Sequence, residues 1–191
     1  MILAGGQSRR MGREKLSIEI GGLTLVERVN NVLSSSCREV LVVGGAGIRP
    51  EGARHVEDER PGGQGPLAGI EAGLDASQYD NVFVAAGDMP FLSQGLVEYL
   101  LERLGGGNAV AVIPRHGGRS HPLCGAYARA LLPRVSDALD GGTRAVHDFL
   151  GVTGGVEYVG KGLRRFGDPE LTLMNVNSPR DLERARREVG R

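Results

Sequence analysis

The chain has 191 residues, of which 40% are hydrophobic and 24% charged, and its formal net charge is zero. This composition is typical of one globular domain, and a neutral chain with 4% aromatic residues is unlike a nucleic-acid-binding protein. No apolar run reaches the roughly 20 residues of a membrane span, and two cysteines without a CxxC spacing indicate neither a disulfide framework nor a zinc site. We therefore expect a cytoplasmic protein with no membrane or nucleic-acid partner.

Short apolar runs alternate with helical patterns through the first part of the chain. Four runs have the length of buried strands, at residues 1–4, 40–43, 82–86 and 109–113, with helical patterns between them at 23–33, 66–76 and 96–104. This alternation predicts an α/β fold in which helices cover both faces of a mostly parallel sheet. In such a fold ligands bind beyond the carboxyl ends of the strands, so the loops after the strands are the candidate site.

The second half of the sequence has less regular patterns. They are strand-like at residues 121–127, 156–159 and 171–174 and helix-like at 128–139 and 143–150. The last helix has a clear start, because Ser178 is a good N-cap, Pro179 suits the first turn and Asp181 can complete a capping box.

The first loop concentrates glycine and positive charge. Gly5 and Gly6 open it, and Lys15 ends a segment that also contains Arg9, Arg10 and Arg13. Glycines let backbone N–H groups approach an anion, and arginine and lysine neutralise phosphates. The spacing is neither that of a Walker A motif nor GxGxxG. The loop therefore predicts a triphosphate site in which Arg10 and Lys15 bind the phosphates, with a basic surface turn as the alternative.

Two aspartates follow later strand-like segments. Asp88 comes after the apolar run that ends at residue 86, where a carboxylate can hold Mg²⁺ beside phosphates, although a turn or cap residue would look the same. Asp58 precedes a segment rich in glycine and proline, and we expect residues 62–65 of that segment to move over a ligand. A solvated loop is the alternative there.

Four motifs in order carry a family resemblance. They are LAGGxSxRMGxxK at residues 3–15, GPLAG at 65–69, DxP at 88–90 and NVNSP at 175–179. Together they resemble the molybdenum cofactor guanylyltransferases over essentially the whole chain. The first motif marks the wider nucleotidyltransferase superfamily, whereas PLAG and NxNSP narrow it to the guanylyl branch. The resemblance implies one domain, residues 1–191, with a three-layer α/β/α Rossmann-like nucleotidyltransferase fold.

The resemblance also implies an activity and its ligands. GMP would pass from GTP to the phosphate of molybdopterin or Mo-molybdopterin, with release of pyrophosphate and with Mg²⁺, or Mn²⁺, as the metal. Residues 1–107 would mainly bind the nucleotide and residues 108–191 the acceptor. Cofactor-pathway proteins and recipient molybdoenzymes are the implied protein partners.

Residue roles follow from the matching motifs. The implied GTP contacts are Leu3, Ala4, Gly5, Gly6, Lys15, Asp58 and Asp88, of which Asp88 also binds the metal. We expect Lys15, Asp88 and Arg10 to be the catalytic residues. Asn175 and Asn177 match the pair associated with the pterin. Arg119 and His121 lie in a segment similar to one in the family and are candidate acceptor contacts, with a solvated hairpin as the alternative.

Three positions depart from the family pattern. Only Met1 and Ile2 precede the first motif, so the first strand should be short or the true start upstream. Gly44 stands near a position where asparagine is common, so a contact there must use backbone. The sequence GDMP at residues 87–90 replaces the more usual Cys-Asp-Thr-Pro and also occurs in cytidylyl relatives. A cytidylyltransferase or sugar-phosphate nucleotidyltransferase of this fold, or a non-catalytic GTP-binding protein, therefore remains an alternative.

Overall fold

The computed structural model describes residues 1–5, 15–45, 47–58, 60 and 64–190. Its strands are β1 (Ile2–Leu3), β2 (Glu19–Ile20), β3 (Leu23–Thr24), β4 (Leu41–Val43), β5 (Arg54–Val56), β6 (Asn81–Ala86), β7 (Ala111–His116), β8 (Arg119–Ser120), β9 (Cys124–Ala128) and β10 (Val156–Val159). Its α-helices are α1 (Leu25–Ser36), α2 (Pro66–Ala76), α3 (Gln94–Gly105), α4 (Leu132–Asp140), α5 (Val146–Val152), α6 (Pro169–Thr172) and α7 (Pro179–Val189).

The main sheet has the strand order β10-β7-β9-β6-β1-β4-β5. An eighth strand, β8, pairs with β7 and is not part of this order. Strands β5, β4, β1 and β6 are parallel to one another, and β10 is parallel to β7. Strand β9 runs antiparallel between β6 and β7, so these two share a direction. The predicted mostly parallel sheet is therefore confirmed.

Each face of the sheet carries its own buried cluster, because side chains alternate between the faces along a strand. Ile2 and Phe83 pack with α1 and α3 on one face, whereas Leu3 and Val84 pack with α2, α4 and α5 on the other. This arrangement confirms the predicted three layers. No helix in the described part of the chain is long and apolar enough to cross a membrane.

A smaller buried cluster joins β2, the start of α1 and the segment that leads into α7. Its members are Ile20, Leu25, Met174, Val176 and Ala185. This third cluster fixes the chain just before α7 against the body of the domain.

Most predicted elements are confirmed with small boundary shifts, and α2 and β10 match their predicted ranges. The pattern at 128–139 divides into a 3₁₀ turn (Arg129–Leu131) and α4, which has Pro133 in its first turn. The strand predicted at 171–174 is wrong. Those residues belong to α6 and the turn after it, because Pro169 suits a helix start and the Asp168 side chain accepts from the backbone N–H of Glu170.

Candidate active site

The carboxyl ends of β1, β4 and β6 meet at one edge of the sheet. Leu3 pairs in register with Val43 on one side and with Ala86 on the other. The contacts continue past the strands, since Ala4 N donates to Val43 O at 2.9 Å and Gly87 N donates to Leu3 O at 3.1 Å. The first loop and the turn that contains Asp88 therefore begin side by side.

A glycine lets the end of the first loop approach this turn closely. A Cβ at Gly87 would lie only 3.0 Å from Leu16 Cδ1. Leu16 belongs to a short 3₁₀ helix (Lys15–Ser17) that packs over the backbone at this point. Its neighbour Lys15 is thereby held beside Asp88.

Four predicted site residues are in direct contact here. The Lys15 ammonium forms an ion pair with Asp88 Oδ2, and both side chains are 12% exposed. The same ammonium donates to Asn177 Oδ1 at 2.7 Å, and Asn175 Nδ2 donates to Asp88 Oδ1 at 2.6 Å. The structure thus joins two residues expected to bind the nucleotide to two expected to bind the acceptor.

The backbone around the two asparagines has its own supports. Val176 N donates to Asp88 O at 3.0 Å, and the Val176 side chain is fully buried in the third cluster. Ser178 and Asp181 form the predicted capping box of α7. The Ser178 hydroxyl, followed by the backbone N–H groups of Asn177 and Ser178, holds the pKa of the Asp181 carboxyl below its usual range.

The start of the first loop lies against the turn after β4. Gly44 has a φ of +71°, and a Cβ there would lie 3.1 Å from Gly5 Cα. Only glycine suits both the left-handed conformation and the close approach of the two backbones. Leu3 is buried and Gly5 is exposed at this edge. The predicted residues Gly6 and Arg10, and residues 62–63 of the segment expected to move, lie outside the described ranges.

Asp58 lies at the other end of the same edge and is not part of the Lys15–Asp88 contact. It follows β5, which is three strand spacings from β6, or about 14 Å. Asp58 Oδ1 accepts from the backbone N–H of Arg60 at 3.2 Å. The Arg60 guanidinium in turn donates twice to Glu71 of α2, at 2.5 and 2.7 Å, and once to Asp140 of α4 at 2.7 Å.

Arg60 is a residue that sequence reasoning missed. Its two hydrogen bonds to Glu71, and then the one to Asp140, raise the pKa of the guanidinium, and the bonds from Arg60 lower the pKa of the Glu71 carboxyl. These partners belong to two different helices, and no local motif connects them to the loop. Arg60 anchors the described part of the loop that carries Asp58.

The hairpin of β7 and β8 brings Arg119 and His121 to the same edge of the sheet. Ala86 N, at the end of β6, donates to Leu123 O at 2.8 Å, only two residues beyond His121. Burial lowers the pKa of His121, and positive neighbours that include Arg119 and His147 lower it further. The Nδ1 atom of His147, on α5, lies 3.3 Å from the Ser120 hydroxyl.

Comparison with known proteins identifies the family. Residues 1–153 match the model of the MobA-like NTP transferase domain. A protein of Pelotomaculum thermopropionicum named probable molybdenum cofactor guanylyltransferase is 38% identical over 190 residues, which cover 97% of this chain and 90% of that protein. A protein of the same name from Methanosarcina mazei is 35% identical over 197 residues, covering 96% and 87%.

Solved structures give the same assignment. The molybdopterin-guanine dinucleotide biosynthesis protein A of Archaeoglobus fulgidus superposes with a TM-score of 0.82 at 30% identity, covering 99% of this chain and 97% of that one. The 2-C-methyl-D-erythritol 4-phosphate cytidylyltransferase of Thermus thermophilus shares the fold, with a TM-score of 0.74 at 23% identity and coverage of 100% and 98%. The chain is therefore a nucleotidyltransferase and belongs to the MobA-like NTP transferase family.

Proposed function

We propose that this enzyme transfers GMP from GTP to the terminal phosphate of molybdopterin, or of Mo-molybdopterin, and releases pyrophosphate. The observation that carries the proposal is the contact of Lys15 with both Asp88 and Asn177, which brings residues proposed to bind the nucleotide next to one proposed to bind the acceptor. The two relatives named guanylyltransferases support the choice of nucleotide and acceptor.

The chemistry needs no general base. A phosphate monoester is already anionic near pH 7, so its oxygen can attack the α-phosphorus of GTP directly. A new P–O bond forms, the bond to the bridging oxygen of the β-phosphate breaks, and pyrophosphate leaves with the electron pair. Positioning and charge stabilisation then supply most of the rate enhancement. The Lys15 ammonium, together with the proposed Arg10, suits this task.

Asp88 is the proposed ligand of Mg²⁺. The described residues contain no group of three or more His, Cys, Asp or Glu side chains that could hold a metal by themselves. A single carboxylate, Asp88, beside the phosphates of a nucleotide fits Mg²⁺, which proteins hold through one or two carboxylates together with substrate phosphates and water. The metal would neutralise charge on the phosphates, and Mn²⁺ accepts the same oxygen ligands.

The remaining nucleotide contacts are proposed along the same edge, mainly within residues 1–107. Leu3, Ala4, Gly5 and Gly6 would contact GTP through their backbone. A carboxylate such as Asp58 could accept hydrogen bonds from guanine N1–H and N2–H, which cytosine cannot supply. The separation of about three strand spacings between β5 and β6 supports distinct base and phosphate ends.

The acceptor contacts are proposed mainly within residues 108–191. Arg119 and His121 offer donors to an acceptor phosphate. The amides of Asn175 and Asn177 can donate to phosphate and accept from pterin N–H groups. Cofactor-pathway proteins and recipient molybdoenzymes are the proposed protein partners.

Calorimetric titration with GTP, CTP, ATP and UTP, each with Mg²⁺, tests the proposal on the wild type and on Asp88→Ala. We expect tight binding of GTP alone, weakened in the variant. Addition of the acceptor should then release one pyrophosphate for each nucleotide transferred. GTP binding without that release would instead favour a non-catalytic GTP-binding protein.

A cytidylyltransferase is the second candidate, because GDMP at residues 87–90 also occurs in cytidylyl relatives. The close packing of Leu16 on Gly87 explains why a glycine stands at this position whichever nucleotide base the enzyme binds. A preference for CTP in the same titration would favour this candidate. Turnover of a sugar phosphate would favour the sugar-phosphate branch instead.

A further inference from the structure

The two oxygens of the Asp88 carboxylate have different partners from distant parts of the chain. Lys15 bonds Oδ2, and Asn175 Nδ2 donates to Oδ1. A carboxylate only accepts hydrogen bonds, so the amide of Asn175 must present its nitrogen here. The side-chain oxygen of Asn175 is thereby left for another partner.

The orientation of the Asn177 amide follows in the same way from its partner. An ammonium group only donates, so Asn177 must present its oxygen to Lys15, at 2.7 Å. Asp88 and Asn177 together engage two of the three hydrogens of the Lys15 ammonium within the described residues. The amide nitrogen of Asn177 keeps its donors for another group.

The backbone of the two asparagines is held by contacts other than those of their own side chains. Met174 and Val176 are buried in the third cluster. The side chain of Asn175 contacts Asp88, and that of Asn177 contacts Lys15. The backbone N–H of Asn177 is bonded to the capping carboxylate of Asp181 at 3.0 Å. The asparagine side chains therefore extend from a fixed support toward the charged groups of Lys15 and Asp88.

We infer that Asn175 and Asn177 are positioning residues for the binding of the magnesium–nucleotide complex, in addition to their proposed contacts with the acceptor. Asn175 fixes the rotamer of Asp88, and Asn177 fixes the ammonium of Lys15. Partners of this kind change metal affinity by about 10- to 100-fold when they are removed. The inference rests on the proposed function of the site, but it concerns the binding of the nucleotide alone.

The test measures the dissociation constant of Mg·GTP by calorimetry, without acceptor, in Asn175→Leu and Asn177→Leu. Leucine has nearly the shape of asparagine but no polar atoms. We expect each variant to bind Mg·GTP about tenfold more weakly than the wild type. Asn108→Leu, on an exposed turn between α3 and β7, is the matched control and should bind as the wild type does.

Removal of magnesium separates the two roles. With EDTA present, the effect of Asn175→Leu should disappear, because it acts through the metal contact of Asp88. The effect of Asn177→Leu should persist, because it acts through the contact of Lys15 with phosphate. A purely structural defect would weaken GTP binding in both variants, with magnesium and with EDTA alike.

A conservative variant adds a third measurement. Asn177→Asp keeps an oxygen for Lys15 but loses the amide donors, so Mg·GTP should bind within about threefold of wild type while the KM of the anionic acceptor rises. Wild-type affinity for Mg·GTP in both leucine variants would overturn the inference and leave the asparagines as acceptor contacts only.

Failure of the proposed function gives a different result. If the wild type prefers CTP, the guanylyl proposal fails, and the same comparison with Mg·CTP still tests the positioning role. Binding of none of the four nucleotides by the wild type would overturn both.

Discussion

The two ends of the candidate site hold their carboxylates in different ways. Asp88 is buried, both of its oxygens are bonded, and its partners stand on a packed core. Asp58 is half-buried on a loop that Arg60 fastens to two helices. Fixed charge is most effective where reacting phosphates gather charge, whereas a base contact can tolerate adjustment. Of the two carboxylates, the one that is more buried and has both oxygens bonded thus lies where we propose that bonds change.

The strongest test of this difference removes the charges at the Asp88 end. We expect Asp88→Ala and Lys15→Ala each to reduce turnover by roughly 10²-fold or more, the usual cost of one preorganised charge contact. Pyrophosphate release at saturating substrates measures the effect. Asp75→Ala on α2 and Lys161→Ala after β10 are exposed controls that should remain near wild type. Near-normal rates in either site variant would refute its assigned role.

At the other end, Asp58→Asn should change the choice of base more than the rate. An amide cannot accept two hydrogen bonds from guanine as a carboxylate does, and a hydrogen bond to a charged group typically contributes enough for about a tenfold effect or more. The preference for GTP over CTP should therefore fall about tenfold, measured as the ratio of dissociation constants. An unchanged ratio would mean that Asp58 does not contact the guanine base.

Arg60→Leu tests whether the anchor acts through Asp58. Without the two bonds to Glu71 and the bond to Asp140, we expect GTP to bind about three- to fivefold more weakly, with turnover at saturation little changed. The effect should nearly vanish in the background of Asp58→Asn, because both changes act on one contact. Arg60→Lys keeps the charge but not the paired geometry, so its affinity for GTP should lie between those of the wild type and Arg60→Leu. Fully additive effects would contradict this assignment.

The smallest expected effect concerns the support of the asparagines. Removal of the cap by Ser178→Ala or Asp181→Asn should lower the free energy of unfolding by about 1 kcal/mol near pH 6. Because folding lowers the pKa of Asp181, its contribution is present above about pH 4 and is lost as the pH falls through its folded value. Denaturant titrations from pH 6 to 3 should therefore show the difference from Asp181→Asn shrinking. A constant difference would indicate that the charge of Asp181 contributes nothing.

Local signals in the sequence allowed much of this to be predicted. The starts of α2 at Pro66 and α7 at Pro179 were correct because caps and first-turn prolines act over a few residues. The contact of Asp88 with Asn175 was not predicted, because the two motifs lie 87 residues apart. The strand expected at 171–174 was wrong, since α6 ends at Thr172 and the apolar residues of this segment pack in two different clusters: Leu171 and Met174 in the third, Leu173 on the face of α1 and α3. Arg60 was missed because its partners lie 11 and 80 residues away.

The bonds that complete the Asp88 end also determine when the site can form during folding. Lys15 and Asn177 are 162 residues apart, and Asp88 and Asn175 are 87 apart. Closure over such separations is entropically costly, and long-range contacts slow folding. The family match ends at residue 153, before either asparagine. A chain that has assembled its sheet but not yet docked the segment around Val176 would therefore have the nucleotidyltransferase core while Lys15 and Asp88 still lacked their asparagine partners.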